Sequence, residues 1–316
     1  MISILLAAYN GEKYIGKQIE SLLAQTVQDF KLYICDDGST DRTLSIITEY
    51  AGQYPKKIFV AQNKVNSGGA KYNFIQMMIR HKDDYVMLCD QDDVWLQNKI
   101  EKTLAKMNSM EALYGDSMPL LVFTDLKVVD SRLKIISDSY QKTMAADFSK
   151  TSLHHIMVQN ILAGCTAMYN KALADIIRNS PDYMVMHDWW LILLASAFGQ
   201  IGVVDEQTIL YRQHETNDTG VKKARSLKHI AYEVSHYSKM AAAINQTYMQ
   251  ADSLLKMYRD RLSEGQIKLL ISYSSIPGQM RIRRLKTLFQ CRTFKNGLTR
   301  KIAQIMIVLR ERRVRI

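Results

Sequence analysis

The chain has 316 residues, 47% of them hydrophobic, with 14 Gly and 4 Pro, enough to bury one large α/β domain plus an appendage or two modest domains, and a composition that excludes a disordered or low-complexity protein. Its formal net charge of +11 is local: residues 281–316 hold twelve Lys and Arg against one acid, Glu311, an excess equal to the whole net charge. The first 280 residues are therefore formally neutral, so the charge describes a basic C-terminal segment and not a basic enzyme surface.

The opening residues Met1 to Ala8 lack a positive n-region and run straight into Tyr9-Asn10-Gly11, which predicts a strand rather than a signal peptide. Further strands are predicted at Lys31 to Cys35, Ile58 to Ala61 and Tyr85 to Cys89. Between the first two, Ile15, Ile19, Leu22 and Leu23 recur at the spacing of one buried helix stripe, and between the last two Phe74, Met77 and Met78 do the same. This alternation predicts parallel β-α-β units in a doubly wound sheet, whose ligand crevice lies at the C-terminal ends of the strands. Three polar loops fall at those ends: Tyr9-Asn10-Gly11-Glu12, Asp36-Asp37-Gly38-Ser39-Thr40-Asp41 and Asp90-Gln91-Asp92-Asp93. Each alone reads as an ordinary strand-to-helix junction with turn glycines and N-cap residues; their convergence on one crevice favours a binding site.

The third loop is the most telling, with three carboxylates in four residues directly after an apolar run. In an extended backbone Asp90 and Asp92 would share one face. A hard divalent cation, Mg²⁺ or Mn²⁺, held between such carboxylates and a diphosphate would relieve their repulsion. The plainer reading is a solvated acidic turn that caps the next helix.

Farther along, Leu120 to Thr124 and Ala167 to Tyr169 are predicted strands. A helix begins at His187-Asp188-Trp189-Trp190, and two strands follow at Ile201 to Val204 and Thr208 to Tyr211. These close a first domain over residues 1–220. Beyond it the periodicity is helical (Leu227, Ile230, Ala231, Val234; then Leu254, Leu255, Tyr258, Leu262), defining a helical C-terminal region over 221–316. In its basic tail Leu298, Ile302, Ile305, Met306 and Leu309 follow helical spacing. Such a helix suits an anionic membrane surface, or it packs on the protein or on a partner in a homo-oligomer. No apolar run approaches the roughly 18 residues of a spanning helix. Cys35, Cys89, Cys165 and Cys291 are widely spaced, without Cys-x-x-Cys, and read as buried thiols of a reducing compartment. The expected location is the cytoplasm, with peripheral contact to the inner face of a membrane.

The ordered set Tyr9-Asn10-Gly11, Asp36 to Asp41, Asp90 to Trp95, His187-Asp188-Trp189 and Tyr211-Arg212-Gln213-His214 resembles family 2 glycosyltransferases of the GT-A fold, across roughly residues 1–220. It is most similar to bacterial rhamnosyltransferases of cell-wall and capsular polysaccharide synthesis, the streptococcal rhamnan type, in which a segment like Phe123 to Val129 also occurs. The resemblance implies a GT-A mixed sheet and an inverting, metal-dependent transfer of L-rhamnose from dTDP-β-L-rhamnose to a lipid-linked saccharide, with an α-linkage. It also implies roles: Ala8, Tyr9, Glu12 and Asp36 at the nucleobase; Asn66, Gly68, Gly69 and Lys71 along the nucleotide sugar; Asp90 at the ribose or sugar; Asp92 and His214 on Mn²⁺ or Mg²⁺. Asp188 is the implied base, Asp125 lies near the acceptor, and Asp93 has no settled role. Read from position alone, Asp188 equally caps its helix, and His214 is a polar-loop histidine. Trp95 is expected to pack, while Trp189 either packs or stacks on the acceptor. A UDP-hexose or UDP-N-acetylhexosamine transferase of the same fold is the alternative. A nucleic-acid-binding protein would explain the basic tail but leaves the aspartates unexplained, so no nucleic-acid partner is expected; a dinucleotide-binding oxidoreductase lacks its G-x-G-x-x-G after the first strand.

Overall fold

The computed structural model describes residues 1–214 and 237–310, which form two compact units. One comprises residues 1–141, 162–180 and 199–214, the other residues 142–161, 181–198 and 237–310.

The first unit is built on a nine-stranded sheet. Its strands are β1 (Ile2–Ala8), β2 (Phe30–Asp36), β3 (Ile58–Gln62), β4 (Tyr85–Cys89), β5 (Val94–Trp95), β6 (Leu120–Val129), β7 (Ile135–Ser137), β8 (Ala167–Asn170) and β9 (Gln200–Arg212). They run in the order β3-β2-β1-β4-β8-β6-β9-β5, with β7 paired to β6. The β1, β2, β3 and β4 strands are parallel, β8 is antiparallel to both its neighbours, and β9 runs parallel to β6. The sheet is therefore mixed. Ile4, Leu5 and Leu6 of β1 are all fully buried, the sign of a strand covered on both faces by crossover helices. Those helices are α1 (Ile15–Leu23), α2 (Thr43–Gln53), α3 (Ala70–Arg80) and α4 (Lys99–Tyr114).

The four strands predicted in the first hundred residues correspond to β1, β2, β3 and β4. Two predicted strands, Ile201 to Val204 and Thr208 to Tyr211, are instead halves of one thirteen-residue strand, β9. Opposite Thr124 and Asp125 the register jumps from Val204 to Gln207, so the polar Asp205-Glu206 that read as a turn is accommodated as a bulge. The predicted strand Leu120 to Thr124 likewise continues, as β6, to Val129.

Short helices α5 (Tyr140–Met144), α6 (Leu153–Ile156) and α7 (Lys171–Ala174) precede α8 (His187–Phe198). The second unit combines α6 and α8 with α9 (Tyr237–Tyr258), α10 (Glu264–Ser274), α11 (Arg281–Cys291) and α12 (Leu298–Arg310). The compact units thus differ from a division at residue 220, which itself lies outside the described residues, as do Leu227, Ile230, Ala231 and Val234. Residues 181–198 join the C-terminal helices because α8 buries Trp190 through Ala195 without a break, a pattern that needs cover all round. The approach to α8 is tied down by Tyr183 N–H donating to Ser253 Oγ (3.2 Å) and Val185 N–H to Gln250 Oε1 (2.9 Å). The start of α10 is a capping box, with Gln266 N–H donating to Ser263 Oγ and the Gln266 side chain accepting from Ser263 N–H. All four cysteines are buried free thiols.

Candidate active site

Three loops emerge together at the C-terminal ends of β1, β2 and β4, and side chains of one hold the backbone of another. Asn10, at φ 47°, donates its N–H to Ser39 Oγ (2.9 Å) and accepts from Thr40 N–H at Oδ1 (2.9 Å). Gly11 N–H donates to Thr43 Oγ1 (2.7 Å). Glu12 donates its N–H to Asp41 and accepts from Arg42 N–H and Nε. Glu12, expected at the nucleobase, therefore works as a brace between two loops. Ala8 is buried, and its carbonyl accepts from Asp37 N–H (2.8 Å); the Tyr9 ring is 46% exposed.

Asp36 is fully buried at the end of β2. Its Oδ2 accepts from Ser39 N–H (3.0 Å) and Gln62 Nε2 (3.4 Å), while Oδ1 has no hydrogen-bond partner among the described residues. A buried carboxylate oxygen without a donor is costly, and a planar ring N–H, such as the imide of a pyrimidine base, is the kind of donor that would satisfy it. The neighbouring Asp37, which sequence reasoning passed over, shapes the next loop. Its carboxylate accepts from Asn63 Nδ2 (2.7 Å), Ser67 N–H (2.9 Å) and Ser67 Oγ (2.8 Å). Asn66 spends its amide on the same loop, donating to Asp37 O and accepting from Gly68 N–H. Gly69, at φ 124°, takes a backbone conformation that a residue with a Cβ would strain to adopt, and it opens α3. Lys71, in the first turn of that helix, sits 4.8 Å from the Tyr72 ring.

The acidic loop is a bend, not a continuation of β4, and this changes the expected facing of its aspartates. Asp92 turns to His214, with Oδ2 and Nε2 2.7 Å apart and both side chains about 15% exposed. Asp90 instead groups with Asp93 and Cys165, their ligand atoms lying within 4.8 Å of one another. Gln91, also passed over, pairs with the Tyr9 backbone twice: its Oε1 accepts from Tyr9 N–H and its Nε2 donates to Tyr9 O, each at 2.9 Å. Gly11 makes this fit possible, since a Cβ there would lie 2.2 Å from Gln91 Oε1.

His214 is positioned by a stack. Its ring lies 5.0 Å from Tyr14 at 28°, and the Arg212 guanidinium lies 4.6 Å from the Tyr14 centroid. Arg212, 1% exposed, donates Nε to Asp92 O and Nη1 to Ser131 O (2.8 Å each), and its N–H to Asp93 Oδ1 (3.1 Å). Asp93 is fully buried and so serves the frame. Burial, reinforced by the Asp92 and Asp90 charges, pushes its carboxyl well above the usual range, and burial does the same to the Cys165 thiol bonded to it. Lys99 lies in the same interior, 4.4 Å from the Trp95 centroid, its ammonium pushed down to about 8 by burial. Between the two donor sets, Asp92 with His214 suits a hard or borderline divalent cation better than the buried Asp93 and Cys165, because it combines oxygen and imidazole and stays within reach of solvent. Asp90, in the other set, is half-buried.

Asp188 and Trp189 lie in the second unit. Asp188 opens α8, with Oδ1 accepting from Trp189 N–H (2.6 Å) and Oδ2 from Asn160 Nδ2 (3.2 Å). Trp189 is held by its indole N–H on Ile156 O (2.6 Å). Trp95 is 2% exposed and packs in the core. Asp125, expected near an acceptor, is 1% exposed. It accepts from Ser139 Oγ (2.6 Å), Gln141 N–H (3.1 Å) and Gln207 Nε2 (3.1 Å), so it fastens the bulge of β9 and the chain after β7 to β6 and presents no surface to a ligand.

The chain is 29% identical over 227 residues to the dTDP-rhamnosyl transferase RfbG of Shigella flexneri, covering 68% of this chain and 73% of that protein. It is 29% identical over 187 residues to the chondroitin synthase of Escherichia coli, covering 58% of this chain but only 25% of the larger enzyme. Among solved structures, S. aureus TarS 1-349 in complex with UDP-GlcNAc superposes with a TM-score of 0.57 at 16% identity, over 92% of this chain and 80% of that one. Residues 3–146 match the family described as Glycosyl transferase family 2, so this chain carries a family 2 glycosyltransferase domain, and the mixed sheet and loop arrangement above are those of the GT-A fold.

Proposed function

We propose that the protein transfers L-rhamnose from dTDP-β-L-rhamnose, with inversion, to a lipid-linked saccharide in the synthesis of a bacterial surface polysaccharide. The observation that carries a metal-assisted transfer is the meeting of Asp92 and His214, 2.7 Å apart, in the same unit as the unsatisfied Asp36 oxygen. What supports rhamnose is the similarity to the Shigella flexneri enzyme over two thirds of this chain. Asp36 accepts the imide N–H of the base, with Ala8 and Tyr9 bordering it, and the loop of Gly68, Gly69 and Lys71 follows the sugar side. Asp90 receives ribose or sugar hydroxyls. Asp92 and His214 would hold Mn²⁺ or Mg²⁺, which would supply Lewis-acid stabilisation to the departing diphosphate. Inverting transfer needs a base for the proton of the acceptor hydroxyl, and the family resemblance alone gives that role to Asp188. Asn160, donating to Asp188 Oδ2, fixes the carboxylate for that role.

Uracil and thymine present the same imide edge, so Asp36 reads a pyrimidine and not the sugar. Transfer of a hexose or N-acetylhexosamine from a UDP-sugar is therefore the second reading, and the fold shared with TarS, solved with UDP-GlcNAc, keeps it in view. The test is thermal stability with Mn²⁺ and a panel of dTDP-rhamnose, UDP-glucose, UDP-galactose, UDP-N-acetylglucosamine and GDP-mannose, wild type against Asp92→Asn. Ligand at about 100 times its dissociation constant adds roughly 2.7 kcal/mol, a shift of several degrees. The expected result is a Mn²⁺-dependent shift with dTDP-rhamnose that Asp92→Asn loses. A shift with a UDP-sugar alone replaces the donor, and no shift with any sugar nucleotide overturns the reading.

A further inference from the structure

The C-terminal helices of the second unit are apolar on two faces. On α12 the inner stripe is Ala303, Gln304, Ile307 and Val308, all buried. Yet Leu298, Ile302 and Met306, at i, i+4 and i+8, are 74%, 48% and 46% exposed. Packing on the protein, one of the two readings open for this helix, is thus realised on one side and leaves the other side uncovered. The same holds for α11. Arg284, Thr287, Leu288 and Cys291 face inward, and Arg284 is consumed there, donating Nε to Gln279 O and Nη2 to Pro277 O. Outward stand Ile282, 85% exposed, and Phe289, 51% exposed. Phe294, in the loop between the two helices, touches both: its ring meets Phe289 of α11 edge-on at 5.0 Å, and Lys301 Nζ of α12 sits 4.3 Å from its centroid.

Charge identifies the partner. Residues 281–310 hold nine Lys and Arg and no acid. With Arg284 buried, the other eight, among them Arg281, Arg283, Lys286 and Arg310, are half or fully exposed. Two copies of such a surface would repel each other, which argues against self-association through it. A nucleic acid would neutralise the cations but leave aliphatic side chains such as Ile282 and Leu298 in water. Cations flanking protruding aliphatic and aromatic side chains match the boundary of an anionic bilayer, where apolar side chains enter the acyl margin and cations meet lipid phosphates. Among the described residues no helix is long and apolar enough to cross a membrane, so the contact is interfacial.

We infer that the outer faces of α11 and α12 form a docking surface for an anionic lipid bilayer, with Ile282, Phe289, Leu298, Ile302 and Met306 inserted and the surrounding Lys and Arg on headgroup phosphates. The inference is independent of which sugar the active site takes. It is tested by co-sedimentation of the full chain with phosphatidylcholine vesicles, alone or containing about one third phosphatidylglycerol. Two variants accompany it, Ile282→Ser/Phe289→Ser/Met306→Ser and Arg281→Glu/Arg283→Glu/Lys286→Glu. All six positions are exposed, so both variants are expected to keep the wild-type melting temperature. The wild type is expected to pellet with the anionic vesicles and not the neutral ones. The apolar variant should bind at least about tenfold more weakly, and the charge variant at least about fiftyfold at low salt. Equal pelleting with both vesicle types overturns the inference, as does an apolar variant that binds like the wild type. Binding to single-stranded RNA in the absence of any vesicle binding overturns it in favour of a nucleic-acid surface.

Discussion

Gln91 occupies a place in the site that its residue type does not advertise. Its amide is matched to the amide and carbonyl of Tyr9, and Gly11 leaves the space for it. Gly11→Ala should therefore displace Gln91 and cost about 1–3 kcal/mol. In a Gln91→Ala background the same change should cost much less, and a double-mutant cycle by urea unfolding measures the coupling; additive effects would show that the clash is relieved elsewhere. Asp125 illustrates the opposite misreading, a carboxylate that looks available in sequence but is buried under three donors. Asp125→Ala should destabilise the chain by about 2–4 kcal/mol. The thermal shift with a bound sugar nucleotide, measured from the lowered baseline, should remain. That Asp92 and His214 come together was legible through the family resemblance, which puts both on one cation, and they stand 2.7 Å apart. Gln91 and Asp37 were not legible, because their work is on backbone groups that only the fold brings near.

At the scale of elements, β1 through β4 were legible because each is a short apolar run bounded by polar loops. β9 was not. The Asp205-Glu206 pair carries a turn's composition, and only the register against Asp125 shows it to be a bulge. The grouping of residues 142–161 and 181–198 with the C-terminal helices was equally hidden, since it depends on contacts between segments far apart in the chain. Within that second unit Arg284 ties the start of α11 to Gln279 O and Pro277 O and reaches Val308 O of α12 at 3.5 Å. Arg284→Met leaves those carbonyls without their donor and should lower stability by about 2–4 kcal/mol. If its urea midpoint matches the wild type, the guanidinium contributes nothing net to the fold.

For the molecule as a whole, the basic excess belongs to the second unit and the carboxylates Asp36, Asp90 and Asp92 to the first. Stability should also depend on pH through His187, which is 5% exposed at the start of α8 and is pushed down to about 3 by burial. As pH falls below about 6.5 the unfolded chain takes up a proton that the folded chain refuses, so stability is full above that value and is lost towards pH 3. Between about pH 7 and about pH 5, before most carboxylates titrate, the loss should be about 2 kcal/mol. His187→Leu should flatten it in urea titrations at the two pH values, and an unchanged slope would assign the dependence to other groups.

The pairing of Gln91 with Tyr9 bears finally on how such an enzyme could change donors. The segment that carries Asp90 and Asp92 is the one that grips the chain at Tyr9, so under the proposed roles reading the base and holding the cation would be mechanically one device. A redesign at Tyr9 aimed at a new nucleotide should register as altered cation affinity, and new donor preferences should be reached by paired changes in both loops more readily than by single ones.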